Sequence, residues 1–290
     1  MEDSTRRSGS ECPAITPSCL HEVVQAERWG LVTDIDGTLA SIAPTPDEAR
    51  VDPGCRHYLR LLASRLPLVA ALTGRPADEA RRLLRIDQMV YVGNHGLEQW
   101  SNGTLRPHPG AQAHRPAIQA ALLAIREQLG AGEGLRYEDK GLTVSVHYRS
   151  ASDPDLARSL ILEAISRVHA ASPLRITEGK MVVELRPPVA IDKGTALMEL
   201  IAEHRLQGAI YLGDDTTDLD AFRALQVWRQ SGDGVGCTVA VAGSETPPAL
   251  TASADLVLAG VAGVRTFLGC LSEVTDCYRD ACTLRRDGGR

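Results

Sequence analysis

Along the chain, short apolar runs that stop at polar, glycine-containing loops alternate with stretches whose apolar residues recur at helical spacing. The first run, Leu31-Val32-Thr33, leads into Asp34, Asp36 and Gly37. A second, Leu66–Leu72, ends at Thr73-Gly74-Arg75-Pro76, and a third, Met89–Val92, ends at Gly93-Asn94-His95-Gly96. Ser18–Trp29 predicts a helix that delivers the chain to the first strand, and Ala43–Pro53, rich in Pro and Asp, predicts a loop. Gly54–Arg65 has helical apolar spacing, and Pro76 suits the first turn of a helix continuing over Ala77–Leu84. This βαβαβ order implies a parallel sheet with right-handed crossovers.

The pattern then changes. Arg106-Pro107-His108-Pro109-Gly110 reads as a linker, followed by a helix over Ala117–Leu129 that Gly130 closes. Leu135–Glu138 and Leu142–Tyr148 predict antiparallel strands around Asp139-Lys140-Gly141. Val144, Val146 and Tyr148 alternate with Thr143, Ser145 and His147, which predicts one buried face and one wet face. A helix over Pro154–Ala170 and a second hairpin, Leu174–Thr177 with Met181–Leu185, complete an αββαββ unit. After Arg186-Pro187-Pro188 the first pattern resumes with a helix over Asp192–His204 and a strand over Ala209–Leu212. That strand ends in Gly213-Asp214-Asp215-Thr216-Thr217-Asp218, where Thr216 or Thr217 is expected to cap a helix over Leu219–Leu225. Short strands at Cys237–Val241 and Asp255–Leu258 and a helix over Val261–Leu271 close the chain. The expected fold is α/β: a doubly wound, Rossmann-like parallel-sheet core over 18–106 and 187–290, with an α+β domain inserted at 107–186. Residues 1–17, polar and with two prolines, are expected to be a disordered arm.

Composition removes several classes of function. With 290 residues, 43% hydrophobic and 23% charged, the chain has the make-up of a globular protein of about two domains. Net charge is −6 and no basic block occurs, so no electrostatic footprint for nucleic acid is present. Apolar runs such as Leu66–Gly74 and Leu256–Val264 are too short to span a bilayer. Arg6-Arg7 is followed by Ser-Gly-Ser-Glu instead of an apolar segment, which rejects a twin-arginine export signal. The seven cysteines form no CxxC and predict reduced thiols in a cytoplasmic protein.

The candidate chemistry sits at the strand ends. In open α/β sheets the ligand crevice lies at the carboxyl ends of the strands. There this chain carries Asp34 and Asp36, Thr73 and Gly74, Asp214, Asp215 and Asp218, with Lys193 at the start of a helix. Asp34-Ile35-Asp36-Gly37-Thr38 alone could be an acidic turn. A calcium loop fails, because its sixth position is Leu39 and its twelfth Thr45. Several carboxylates in one crevice repel one another and favour a hard divalent cation. Mg²⁺ suits oxygen ligands and leaves room for a substrate phosphate. The cation, Lys193 and the Thr73 hydroxyl would then surround a phosphoryl group with positive charge and donors.

These four segments resemble, in order and chemistry, the motifs of haloacid dehalogenase-like hydrolases. The resemblance implies Asp34 as nucleophile and Asp36 as general acid and base. It also implies metal ligation by Asp34, the Asp36 carbonyl and Asp214, with Asp215 and Asp218 holding waters or orienting Lys193. Thr73, Gly74 and Lys193 would bind phosphate. An insertion between the second and third motifs is the place of a cap domain in that superfamily. The phrases GNHG (93–96), YEDKGLTVSVHYR (137–149), GKMVVELRPP (179–188) and YLGDDTTDLDAF (211–222) further resemble trehalose-6-phosphate phosphatases. Ile35 and Leu219 depart from that pattern without touching its chemistry. The resemblance implies a disaccharide phosphate as the small-molecule partner of a monomeric enzyme, with His95, Glu138, Lys140, Arg149 and Glu184 as sugar-binding candidates. Alternatives that keep the motifs are a phosphatase for sucrose, glucosylglycerol or mannosylglycerate phosphate, a phosphomutase, or a non-catalytic sugar-phosphate-sensing subunit.

Overall fold

The computed structural model describes residues 17–287 apart from 131, 133, 170–173 and 180, and of 168–169 and 277–287 it describes the backbone alone. The expected N-terminal arm therefore lies, except for Pro17, outside the described residues. The elements run α1 (Ser18–Gln25), β1 (Trp29–Thr33), α2 (Pro53–Ala63), β2 (Leu68–Leu72), α3 (Ala77–Leu84), β3 (Val90–Gly93), β4 (Glu98–Ser101) and β5 (Thr104–Pro107). They continue with α4 (Pro109–Gln112), α5 (Arg115–Leu129), β6 (Arg136–Asp139), β7 (Val144–His147), α6 (Pro154–His169), β8 (Arg175–Gly179) and β9 (Val182–Arg186). The last are α7 (Lys193–Glu203), β10 (Gly208–Gly213), α8 (Asp218–Gln230), β11 (Val235–Ala242), α9 (Pro248–Ser253), β12 (Leu256–Ala259) and α10 (Gly260–Asp287).

An eight-stranded sheet has the order β12-β11-β10-β1-β2-β3-β4-β5. Its strands are parallel from β12 to β3, and β4 and β5 add an antiparallel edge. Period-2 alternation feeds two core layers. Leu31, Val69, Ile210 and Val239 pack with residues of α1, α2 and α10, while Val32, Ala70, Tyr211 and Ala240 pack with residues of α7 and α8. This is a doubly wound α/β sheet, and β1 and β10, paired as neighbours, occupy its middle.

The chain leaves this sheet after β5 and returns at α7. In between, β6-β7-β9-β8 form a four-stranded antiparallel sheet. Ile118 and Ile125 of α5 and Ile161 and Ile165 of α6 pack on its Val144, Val146, Val183 and Leu185. The structure is thus an α/β core carrying an α+β cap.

Four local expectations are corrected. The first helix stops at Gln25, not Trp29: Ala26 turns extended, and Trp29 opens β1 opposite Gly208. The expected linker is partly strand, because Arg106 and Pro107 pair with Gln99 and Glu98 in a hairpin turning at Asn102 and Gly103. Both turn residues have positive φ, 51° and 80°, as a tight Asn-Gly turn requires. The closing helix runs on to Asp287. Thr143 and Ser145 are fully buried, so the expected wet face of β7 is instead turned against the crevice between cap and core. No helix among the described residues is long and apolar enough to cross a membrane.

Candidate active site

β1 ends at Thr33, and Asp34 continues its ladder by donating its backbone N–H to Leu212 of β10 at 2.9 Å. The loop then turns sharply through Gly37, whose φ is +87°. A Cβ there would lie 2.0 Å from Asp214 Oδ2, so only glycine lets the loop pass this carboxylate. The Thr38 hydroxyl donates to Asp214 Oδ1 at 3.1 Å. The two aspartates thus meet because their strands are neighbours and because Gly37 and Thr38 close the gap.

Lys193, the first residue of α7, is almost wholly buried, with Nζ 3.1 Å from Asp34 Oδ2 and 2.7 Å from Asp218 Oδ1. Asp192 caps this helix by accepting from the Thr195 amide at 2.8 Å, which sets the lysine at the helix mouth. Asp218 also accepts from the Tyr211 hydroxyl at 2.6 Å and from the amides of Asp214 and Asp215 at 2.9 and 2.8 Å. Its carboxylate thus reaches back to the loop before α8, while Thr217, expected as a cap, stands at the N-cap with no side-chain cap bond. Burial works against the charge on Lys193, but Asp218 and Asp34 hold its pKa above the ordinary lysine value. Burial pushes the Asp34 carboxyl well above the usual range; Lys193 opposes this, and Asp218, Asp214 and Asp36 add to it.

Among the described residues, Asp34, Asp214 and Asp218 each place a carboxylate oxygen within 4.8 Å of the others. Asp218 already accepts from four donors, Asp34 faces Lys193, and Asp214 accepts from Thr38. Hard oxygen donors in a crowded anionic crevice fit a hard divalent ion, which would relieve the repulsion that raises Asp34.

Asp36 faces the other way, into a two-pronged ion pair with Arg75: Nε to Oδ2 is 2.6 Å and Nη2 to Oδ1 is 2.8 Å. Arg75 also bonds Glu79 and donates to the Pro46 carbonyl at 3.0 Å, so the guanidinium is gripped on three sides. The Thr73 hydroxyl accepts from the Arg75 amide at 3.3 Å. Arg75 was not among the residues singled out from sequence, although it stands in the same Thr73–Pro76 turn.

The cap closes the crevice from above. Glu184 Oε1 accepts from Lys140 Nζ at 3.0 Å, Thr143 Oγ1 at 3.1 Å and Ser145 Oγ at 3.2 Å. Lys140 also donates to the Gly74 carbonyl of the core at 3.1 Å. Burial alone would raise the Glu184 carboxyl, but the Lys140 ammonium beside it, helped by Arg186, brings it down to about 2. His95 lies 3.6 Å from Glu184 Oε2, and its Nδ1 is buried without a hydrogen-bond partner. Burial depresses its pKa to about 3, so the imidazole is neutral. Both Asn94 and His95 have φ near +50°, which tips them out of the end of β3 towards the cap. Glu138 pairs with His147 at 2.7 Å, while Arg149 bridges to Glu245 of the core at 3.0 and 3.2 Å.

One cavity of about 250 Å³ joins the two halves, running from Asp34, Asp36 and Thr73 up to Glu138, Lys140 and Glu184. Gly74, His95, Arg149, Lys193 and Asp215 also line it. Asp214 opens instead onto an adjoining cavity of about 480 Å³, shared with Gly37 and Arg149. Asp218 lines neither and is closed off behind Lys193. The residues passed over in sequence, Thr38, Arg75, Thr143, Ser145, His147 and Tyr211, all touch ones that were singled out. Their signal was position alone: each sits inside a motif or alternates with one.

A doubly wound sheet with paired aspartates after β1, Thr73 after β2, a buried lysine at a helix start and aspartates after β10 defines the haloacid dehalogenase-like class. The trehalose-phosphatase family model matches residues 32–247, and the chain belongs to that family. A trehalose-phosphate phosphatase of Mycobacterium tuberculosis (strain H37Rv) is 35% identical over 257 residues, covering 83% of this chain and 64% of the relative. The chain therefore spans just under two thirds of that relative's length. A crystal structure of a trehalose-6-phosphate phosphatase related protein superposes with a TM-score of 0.70 at 26% identity, covering 84% of this chain and 96% of the other. The C-terminal domain of the Candida albicans trehalose-6-phosphate phosphatase gives the same TM-score of 0.70 at 22% identity, covering 91% and 99%, and shares the fold.

Proposed function

We propose that this chain is a Mg²⁺-dependent phosphatase that hydrolyses trehalose 6-phosphate to trehalose and phosphate through an aspartyl-phosphate on Asp34. The observation that carries the reading is the contact of a buried lysine with the Asp34 carboxylate at 3.1 Å, beneath a cap that presents Glu184 and Lys140 to the same cavity. A phosphatase active site needs a carboxylate nucleophile whose charge is offset before it approaches a phosphate dianion, and Lys193 supplies that offset. Asp34 and Asp214 would hold Mg²⁺, which when bound neutralises phosphoryl oxygens.

In this reading Asp34 attacks phosphorus while Lys193 and the Thr73 hydroxyl hold phosphoryl oxygens. Asp36 protonates the departing sugar alkoxide, then takes a proton from the water that cleaves the acyl phosphate. Arg75 orients Asp36 for both steps, and Asp218, itself fixed by four donors, orients Lys193. Glu138, Lys140, Glu184 and His95 read sugar hydroxyls, since a site built to hydrogen-bond a substrate rejects analogues that lack those groups. The division into a core of 18–106 and 187–290 and a cap of 107–186 belongs to this reading, supported by the separate sheets and apolar clusters. So does action as a monomer in the cytoplasm, which size-exclusion chromatography and cell fractionation test.

The decisive experiment is phosphate release by the purified chain from trehalose 6-phosphate and from sucrose, glucosylglycerol and mannosylglycerate phosphates, with and without Mg²⁺. Trehalose 6-phosphate should be turned over fastest, chelation should abolish turnover, and Asp34→Asn should lose at least about 1,000-fold while remaining folded. Another disaccharide phosphate in first place would change the substrate. Wild-type activity in a folded Asp34→Asn protein would remove the mechanism.

A further inference from the structure

Far from the crevice, two cysteines from distant parts of the chain meet in the core. Cys19 lies in the first turn of α1 and Cys237 in β11, 218 residues apart in sequence, and their Sγ atoms are 2.8 Å apart. Both are buried in one apolar cluster, Cys19 at 9% exposure and Cys237 at 0%. Unbonded sulfurs need at least the ~3.5–4.0 Å that carbon atoms keep in contact, whereas a disulfide spans about 2.05 Å. The observed separation falls between contact and bond, so only a small side-chain adjustment parts the pair from a covalent link.

A third group, Asp255, lies close enough for the trio to hold a metal ion. Two observations weigh against that use. The Asp255 carboxylate is occupied by Arg229 Nη1 at 3.0 and 3.1 Å and by the amide and hydroxyl of Thr238 at 2.9 and 2.8 Å, with a guanidinium where a cation would need access. Two thiolates on one tetrahedral zinc, each about 2.3 Å from it, would also stand roughly 3.8 Å apart, wider than this pair.

We propose that Cys19 and Cys237 form a reversible disulfide when the protein meets a small-molecule disulfide of the glutathione class. Cys19 is the attacking group: it is the less deeply buried of the two, and it sits at the start of a helix of only two turns that can open locally. The hydrogen bond with Cys237 lowers the Cys19 pKa, and the same bond, with burial, pushes the Cys237 thiol far up. The Cys19 thiolate attacks one sulfur of the oxidised tripeptide and expels the first thiolate. That leaving thiolate takes its proton from solvent. With Cys19 now in a mixed disulfide, the bond that raised Cys237 is gone. Cys237, deprotonated by solvent as α1 opens, attacks Cys19 Sγ and expels the second thiolate, which solvent also protonates. The protein loses two electrons and two protons, and one glutathione disulfide becomes two thiols. The link closes a loop of more than 200 residues and pins α1 to the sheet. Cys237 pairs in register with Ile210, four residues, roughly 13 Å of strand, before Asp214, so the bond is a staple remote from the crevice.

The test oxidises the full chain with excess glutathione disulfide, blocks free thiols with an alkylating agent after denaturation, and maps the peptides without reduction. A bridged Cys19–Cys237 peptide is expected, with a Tm about 5–10 °C higher than that of the reduced protein and reversed by dithiothreitol. Cys19→Ala should lose both the bridge and the shift. Because Cys237→Ala removes a core group and could fail to fold, the peptide map of the unaltered chain is the deciding measurement. Recovery of both cysteines alkylated, a bridge to Cys270 instead, or a metal ion retained at one equivalent in native mass spectrometry would each overturn the assignment.

Discussion

Glu184 takes three hydrogen bonds on one oxygen, from Lys140, Thr143 and Ser145, and faces His95 with the other. That shell holds its pKa near 2 against an ordinary value of 4.5. The folded pKa lies below the unfolded one, so the stabilisation is fully present above about pH 4.5 and is lost as pH falls towards 2, on the order of 3 kcal/mol in all. Urea titrations between pH 6 and 2.5 should show that fall in the wild type. Glu184→Gln should be weaker by about that amount at neutral pH, because Lys140 is left buried without its counter-charge, and should lose much less on acidification. A parallel pH dependence in the two proteins would mean that the depressed carboxyl lies elsewhere. Asp34 and Asp36 stand out in the sequence because they follow an apolar run into a glycine turn, and Lys193 because it opens a helix. Glu184, in the middle of β9, stands out only through the resemblance of its segment. Arg75 does not stand out, since an arginine in a turn usually reads as solvated. Its meaning appears only when Asp36, 39 residues away in sequence, lies 2.6 Å from it.

Elements rather than residues explain why Lys193 is held so firmly. The helices α7 and α8 begin side by side, and Gly194 approaches the Asp220 carbonyl so closely that a Cβ would lie 2.6 Å from it. Their first residues, Lys193 and Asp218, form the buried pair that joins the two helix starts. Asp218→Asn should therefore destabilise the whole fold by about 3 kcal/mol, the low end for breaking a buried pair because Asp34 still faces the lysine. Chemical denaturation measures this, and a loss under about 1 kcal/mol would show the pair to be dispensable. The parallel core was readable from short apolar runs ended by loops. Strands buried on both faces read as continuous apolar stretches, and the crossover helices between them keep a 3.6-residue period. The β4–β5 hairpin was passed over because the proline-rich Arg106–Gly110 stretch suggested a break, although Asn102-Gly103 carried the turn signal. The polar face of β7 misled for a different reason. Alternation tells that two faces differ, but not whether the polar one meets water or a buried crevice.

At the scale of the molecule, partly exposed charged pairs join cap and core. Arg149 pairs with Glu245 and Arg136 with Asp47 at 2.9 Å, and these side chains are 31–82% exposed. Solvent-screened pairs of this kind hold weakly. A double-mutant cycle on Arg149→Ala and Glu245→Ala should give a coupling below about 1 kcal/mol in stability. If Arg149 reads sugar in addition to this contact, its replacement should raise KM for the disaccharide phosphate while Glu245→Ala should not. Equal kinetic effects from both would reduce Arg149 to a strut. The cavity itself tells a different story about how a ligand enters. Glu184 already has Lys140, Asp36 already has Arg75, and Lys193 is shared between two aspartates. Under the proposed reading, recognition would be an exchange of partners: a disaccharide phosphate would have to replace the contacts around both Glu184 and Lys193. Inorganic phosphate could replace only those around Lys193, so the pocket's own pairs would compete with the released product and favour its departure.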